Sequence, residues 1–154
     1  MSRFDTYLQS VVVRAEVEAK EDSSATIDAH HLLLAVAAQD GTDAQRVLHA
    51  AGLGYEALKD ALHREFAHSL AAAGVSLDDF ELPRASQDPE RRLRPGASFK
   101  LAMERMATAH RKKDLHSGHL LLAILQAEVG TLPRALALAG VDRAGLIERV
   151  RSAL

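Results

Sequence analysis

The sequence predicts an all-α protein made of two tandem four-helix repeats, and three observations carry that expectation. Hydrophobic residues make up 47% of the 154 residues and aromatic residues only 4%, so the apolar content is mainly Ala, Leu and Val. Such side chains suit close-packed helices, whereas strands favour aromatic and β-branched residues. Apolar positions recur at intervals of three and four between breaks marked by Gly and Pro. The chain is also similar to itself at a spacing of 88 residues.

Phe4, Leu8, Val11, Val12, Ala15 and Ala19 share one face of a first helix over about residues 4–20. Val11-Val12-Val13 alone reads as a strand, but Arg14, Glu16 and Glu18 follow with no turn signal. After polar residues 21–26, Asp28 is a candidate N-cap for a short, nearly all-apolar helix over 31–39, a pattern that implies burial on most sides. A third helix covers 44–51 and is closed by Gly52 in the position of a left-handed C-terminal cap. A fourth begins near Tyr55, carries Leu58, Leu62 and Phe66 at i, i+4, i+8, and runs to Ala73 before Gly74.

Residues 75–96 differ in character. Pro83, Pro89 and Pro95, with Asp78-Asp79 and Arg91-Arg92, mark a linker and not an element. Helices then return over 98–112, 120–127, 132–139 and 143–154, with Pro133 in the first turn of one and Gly140 closing it. The expected division is repeat 1 over about 3–74, a linker over about 75–96 and repeat 2 over about 97–154, together forming one domain over 1–154.

A shift of 88 lays His31-Leu32-Leu33-Leu34-Ala35 on His119-Leu120-Leu121-Leu122-Ala123. Arg46 then falls on Arg134, Leu48 on Leu136, Ala51-Gly52 on Ala139-Gly140 and Leu58 on Leu146, with no gap. Upstream, the loop before His119 reads as about two residues shorter than its counterpart.

These motifs resemble the Clp N-terminal domain, a double Clp repeat found ahead of the ATPase modules of ClpC/ClpA Hsp100 unfoldases. The resemblance rests on 31–36, 119–124, Gly140-Val141-Asp142 and the lead-in Leu93-Arg94-Pro95-Gly96-Ala97, similar to the family's Phe-Thr-Pro-Arg-Ala. It implies two four-helix repeats packed with pseudo-twofold symmetry, acting as a noncatalytic docking module for substrate proteins or adaptors. No glycine fits G-x-x-x-x-G-K-[ST], so no phosphate-cradling loop is encoded and the chain reads as an N-domain lacking the ATPase modules.

Two departures bear on function. Where the family has Gly-Thr-Glu-His, this chain has Asp28-Ala29-His30-His31 and His116-Ser117-Gly118-His119. In some relatives those glutamates grip the guanidinium of phosphoarginine by bidentate pairing, which neither His30 nor Gly118 supplies. The resemblance also implies an apolar groove that binds cyclic-peptide antibiotics, with Met1, Val12 and Leu93 at matching positions and Phe4 beside them. Two of those positions carry aromatic rings in relatives.

Other chemistries are weighed against plainer roles. His31 and His119 are expected to be structural, their ring nitrogens satisfying backbone groups, as Gly52 and Gly140 are structural caps. Zinc would require His30, His31, His116 and His119 to converge, and no acidic or Cys partner is close in sequence. Asp28, His31 and Ser117 form no recognisable hydrolase set, because capping explains Asp28 and Ser117. No catalytic residue, metal ligand or cofactor is expected.

A formal charge of −2 provides no global field for nucleic acid, and the local basic runs lack interleaved aromatics. Zero Cys excludes thiol chemistry and fits a reducing compartment. No apolar stretch is long enough to cross a bilayer, so a soluble cytoplasmic protein is expected, without nucleic-acid or membrane partners. The expected function is a protein-interaction module that binds substrates or adaptors and modulates a Clp ATPase-protease. The alternative is a decoy that sequesters cyclic-peptide antibiotics and so protects the unfoldase.

Overall fold

Ser2 opens the first helix, α1 (Arg3–Glu21). Its hydroxyl accepts from the Asp5 N–H and the Asp5 carboxylate accepts from the Ser2 N–H, both at 3.1 Å, so two orphan donors are met. The structure, a computed structural model, describes residues 2–75 and 90–154. Phe4, Val11, Ala15 and Ala19 of α1 face inward, as their spacing dictates.

The first repeat continues with α2 (Ala29–Ala38), α3 (Asp43–Ala50) and α4 (Tyr55–Ala72). The second comprises α5 (Ala97–Ala109), α6 (Ser117–Leu125), α7 (Thr131–Leu138) and α8 (Arg143–Ser152). Among the described residues the only strands are β1 (Thr26–Ile27) and β2 (Arg94–Pro95), which pair in parallel ahead of α2 and α5. The fold is all-α. Most of the linker expected over 75–96, including Pro83 and Pro89, lies outside the described residues.

The 88-residue spacing holds at the level of elements. α3 and α7 correspond residue for residue, α2 and α4 start in register with α6 and α8, and α1 and α5 end in register. The loops before α2 and α6, residues 22–28 and 110–116, are therefore equal in length, and the expected two-residue shortening is corrected. α5 stops at Ala109, where His110 turns extended, and a 3-10 turn (Lys112–Asp114) fills the space taken for its last turn.

Gly52 and Gly140 both adopt the left-handed backbone, at φ +73° and +72°. In each turn the residue after the glycine donates back to the helix, Leu53 to the Leu48 carbonyl at 2.8 Å and Val141 to the Leu136 carbonyl at 2.9 Å. Orphan carbonyls are thereby satisfied, and an L side chain at either glycine would be strained.

α2 and α6 pack against each other at the centre, where Leu32, Leu33, Leu120, Leu121 and Ile124 are fully buried. Each such side chain contributes about 1.5–3 kcal/mol of burial. α3 leans on α6 and α4 on α7, so one core runs through both repeats.

Phe66 departs from its expected inward position and is 48% exposed. The inward place goes to Glu65, whose carboxylate accepts from Arg134 of α7 at 3.1 Å and from Ser69 at 2.7 Å. A partnered ion at the α4–α7 contact displaces the apolar stripe by one residue. Leu101 of α5 is also half exposed.

Candidate functional site

The repeats meet in two clefts that are equivalent under the 88-residue shift. The first joins the start of α2 (Asp28, Ala29, His30) to the turn before α7 (Val129, Gly130, Thr131) in about 230 Å³. The second joins the start of α6 (Leu115, His116, Ser117) to the turn before α3 (Gly41, Thr42, Asp43) in about 410 Å³. Each cleft therefore draws one wall from each repeat.

Histidines build both corners. His31 Nδ1 accepts from the Asp28 N–H at 2.9 Å, and His119 Nδ1 accepts from the His116 N–H at 3.1 Å, each closing the start of its helix. An imidazole here takes the place of the Glu or Gln of an ordinary capping box. Accepting at Nδ1 fixes the neutral tautomer with its proton on Nε2. Burial, with His116 and His110 beside it, lowers the His119 pKa from its ordinary value.

His31 directs Nε2 at the Asp22 carboxylate, 3.2 Å away, with His30 Nε2 at 3.7 Å. Burial would raise the Asp22 pKa, but hydrogen bonds from the two histidines outweigh it and hold the carboxyl well below its usual range. Asp22 is the acidic partner that sequence spacing does not disclose, because a loop folds it back onto α2. Asp22, His30 and His31 bring one ligand atom each within 4.8 Å, the one such group among the described residues. The tautomer opposes coordination, since His31 Nε2 carries a proton and Nδ1 is already engaged. The four histidines considered together in the sequence form two separate corners, His30–His31 and His116–His119.

Ser117 is buried, and its hydroxyl accepts from the Ala44 N–H at 3.2 Å, so it caps α3 of the other repeat. Ser98 does the same for Ala29 at the start of α2, at 2.9 Å. Asp28 holds the Thr26 hydroxyl. Asp28, His31 and Ser117 thus serve three different structural contacts.

Gly118 is enclosed. A Cβ there would lie 2.9 Å from His116 Cε1 and 2.9 Å from Leu154 Cδ2. His30 by contrast is half-buried at the rim of the first cleft. These two positions, where the family has glutamate and which are candidates for a surface at the repeat junction, are therefore unequal: the His30 ring keeps a small exposed edge at the cleft, and the space at Gly118 is filled by the protein itself.

Of the groove residues, Met1 lies outside the described residues. Phe4 is buried in the core and floors the second cleft, while Val12 and Leu93 are partly buried against the core. The Leu93 N–H donates to Glu16 Oε2 at 3.1 Å, which places the lead-in to repeat 2 one turn along α1 from Val12. Phe4 lies two helical turns upstream of Val12, at the second cleft.

Sequence reading did not single out Arg3, Tyr7 or Arg46, which line the second cleft. It also missed Glu18, buried on α1 and held by Arg14 at 3.0 Å and by the Tyr55 hydroxyl at 2.6 Å. Only the 88-residue register, which sets Gly41-Thr42-Asp43 against Val129-Gly130-Thr131, carried a signal for the cleft walls. A further cleft of about 630 Å³ lies between the turns at Gly52 and Gly140.

With this geometry in place, comparison with known families is decisive. The Clp repeat (R) N-terminal domain model matches residues 3–92, more than half of the chain. The chain belongs to the Clp repeat N-terminal domain family. The match spans α1 to α4 and stops just before β2, so the second half of the Clp fold is identified here by its register with the first. No curated protein matches the chain. Clp repeat N-terminal domains are protein-interaction modules. No described helix is long and apolar enough to cross a membrane.

Proposed function

We propose that this chain is a noncatalytic docking module of the Clp N-domain type. It presents its repeat-junction clefts to substrate proteins or adaptors and through them modulates a Clp ATPase-protease in the cytoplasm. One observation carries this reading: both clefts are built between the repeats, on the starts of helices that belong to a rigid shared core. A concave surface on a packed scaffold binds at low ordering cost, because its walls are fixed before the partner arrives. Val129, 85% exposed at the rim of the first cleft, supplies apolar surface that the fold leaves uncovered.

Site-specific photo-crosslinking tests the reading. A photoreactive residue at His30 or Val129 is expected to capture polypeptides, including Clp subunits or their substrates, from the native cell. The same residue at exposed Glu148 on α8 is expected to capture far less. Equal capture at all three positions, or none, would contradict the proposal.

A further inference from the structure

The two clefts are related by the duplication but differ in what α1 adds to one of them. Aligned at their C-terminal ends, α1 extends six residues further upstream than α5. That extension carries Arg3, Phe4 and Tyr7, all of which line the second cleft. In repeat 2 the corresponding chain is extended and forms β2. The equivalent arginines differ as well. Arg134 reaches across to Glu65 of α4, whereas Arg46 pairs within its own helix with Asp43 and lines the second cleft.

The polar groups of this cleft sort into committed and uncommitted. Thr42 Oγ1 accepts from the Gln45 N–H, Ser117 Oγ accepts from the Ala44 N–H, and Asp43 is paired with Arg46. The Tyr7 hydroxyl is buried with no hydrogen-bond partner among the described residues, and burial raises its pKa, so it remains a donor. His116 Nδ1 accepts from the Gly118 N–H at 3.2 Å, which leaves Nε2–H as a donor. Arg3 makes no ion pair among the described residues, and Arg46 retains N–H groups beyond those given to Asp43 and the Gly41 carbonyl. Apart from the second oxygen of Asp43, the uncommitted side-chain groups are therefore donors, above an apolar floor of Phe4 and Leu115.

A basic run adjoins this wall. Lys112 reaches Asp5 of α1 at 3.7 Å, which brings Arg111-Lys112-Lys113 beside the cleft. The first cleft has the opposite character: Asp28 lines it and neither Lys nor Arg does.

We propose that the second cleft is the docking site for an acidic peptide segment, its carboxylates taken by Arg3 and Arg46 and a neighbouring apolar side chain seated on Phe4 and Leu115. This rests on the docking-module reading and names the partner chemistry of one of its two clefts. A site offering mainly donors suits a ligand rich in acceptors, and guanidinium–carboxylate pairing gives it direction.

The test is amide NMR on the full chain with two synthetic hexapeptides, one with glutamates flanking a Leu-Phe pair and one with glutamines in their place. The acidic peptide is expected to shift amides of residues 3–7, 41–46 and 115–117 and to leave 28–30 and 129–133 unmoved. The glutamine peptide, or the Arg3→Ala/Arg46→Ala variant, is expected to bind about tenfold more weakly. Equal binding of both peptides would overturn the proposal. So would inorganic phosphate shifting the same amides while the acidic peptide does not, which marks a simple anion site. Shifts confined to 28–30 and 129–133 would overturn it while sparing the docking-module reading. No shift with the acidic peptide or with an unfolded protein would defeat both.

Discussion

Two residues show how closely the junction is fitted. Gly96 precedes α5 and donates its N–H to the Ile27 carbonyl at 2.8 Å, and a Cβ there would sit 2.0 Å from Asp28 Oδ1. Gly96→Ala must push the Asp28 carboxylate off Thr26, and a cost of about 1–3 kcal/mol is expected, read as a fall in urea midpoint. His119 makes the second case. Its pKa is lowered in the fold, so the unfolded chain binds the proton more tightly. Its contribution is complete above the unfolded value of about 6.5 and is lost as pH falls from there through the folded value. Melting temperature should therefore drop between roughly pH 7 and pH 5, and His119→Gln, which cannot take up the proton, should flatten that slope. An unchanged slope would place the acid-sensitive group elsewhere.

At the scale of elements, α2 and α6 occupy matched positions in one core. Leu33 and Leu121 are equivalent under the 88-residue shift, and both are fully buried. Leu33→Ala and Leu121→Ala should each cost about 2–5 kcal/mol and agree closely with one another, as denaturant unfolding would reveal. This equivalence is legible in the sequence because the core strings His-Leu-Leu-Leu-Ala and the Ala-Gly turns are local patterns that survive duplication. Helix spacing and glycine caps are equally local, so the eight helices among the described residues are readable. What is not readable depends on contacts between distant segments. Glu65 displaces Phe66 from the α4 stripe because Arg134 waits on α7, and Asp22 reaches His31 only through a folded loop. The cleft walls at Arg3, Tyr7 and Arg46 belong to the same class. No single one of them has a motif, and their convergence exists only once repeat 2 has packed on repeat 1.

For the whole molecule, the shared core implies that neither repeat stands alone. Residues 1–75 by themselves would expose the faces of α2, α3 and α4 that cover α6 and α7, on a fragment small enough to be marginal even when fully packed. Such a fragment should unfold without a cooperative transition, whereas the full chain should show one. Two sharp transitions in the full chain would contradict a single core. The same coupling underlies the proposed docking clefts: each wall begins a helix that is anchored in the common interior. Hydrogen exchange on the full chain, with and without a reduced and alkylated unfolded protein, probes that claim directly. Slowed exchange is expected at residues 28–31 and 129–133, at 41–46 and 115–118, or at both. Protection confined to the outer faces of α5 or α8, or no protection at all, would contradict it.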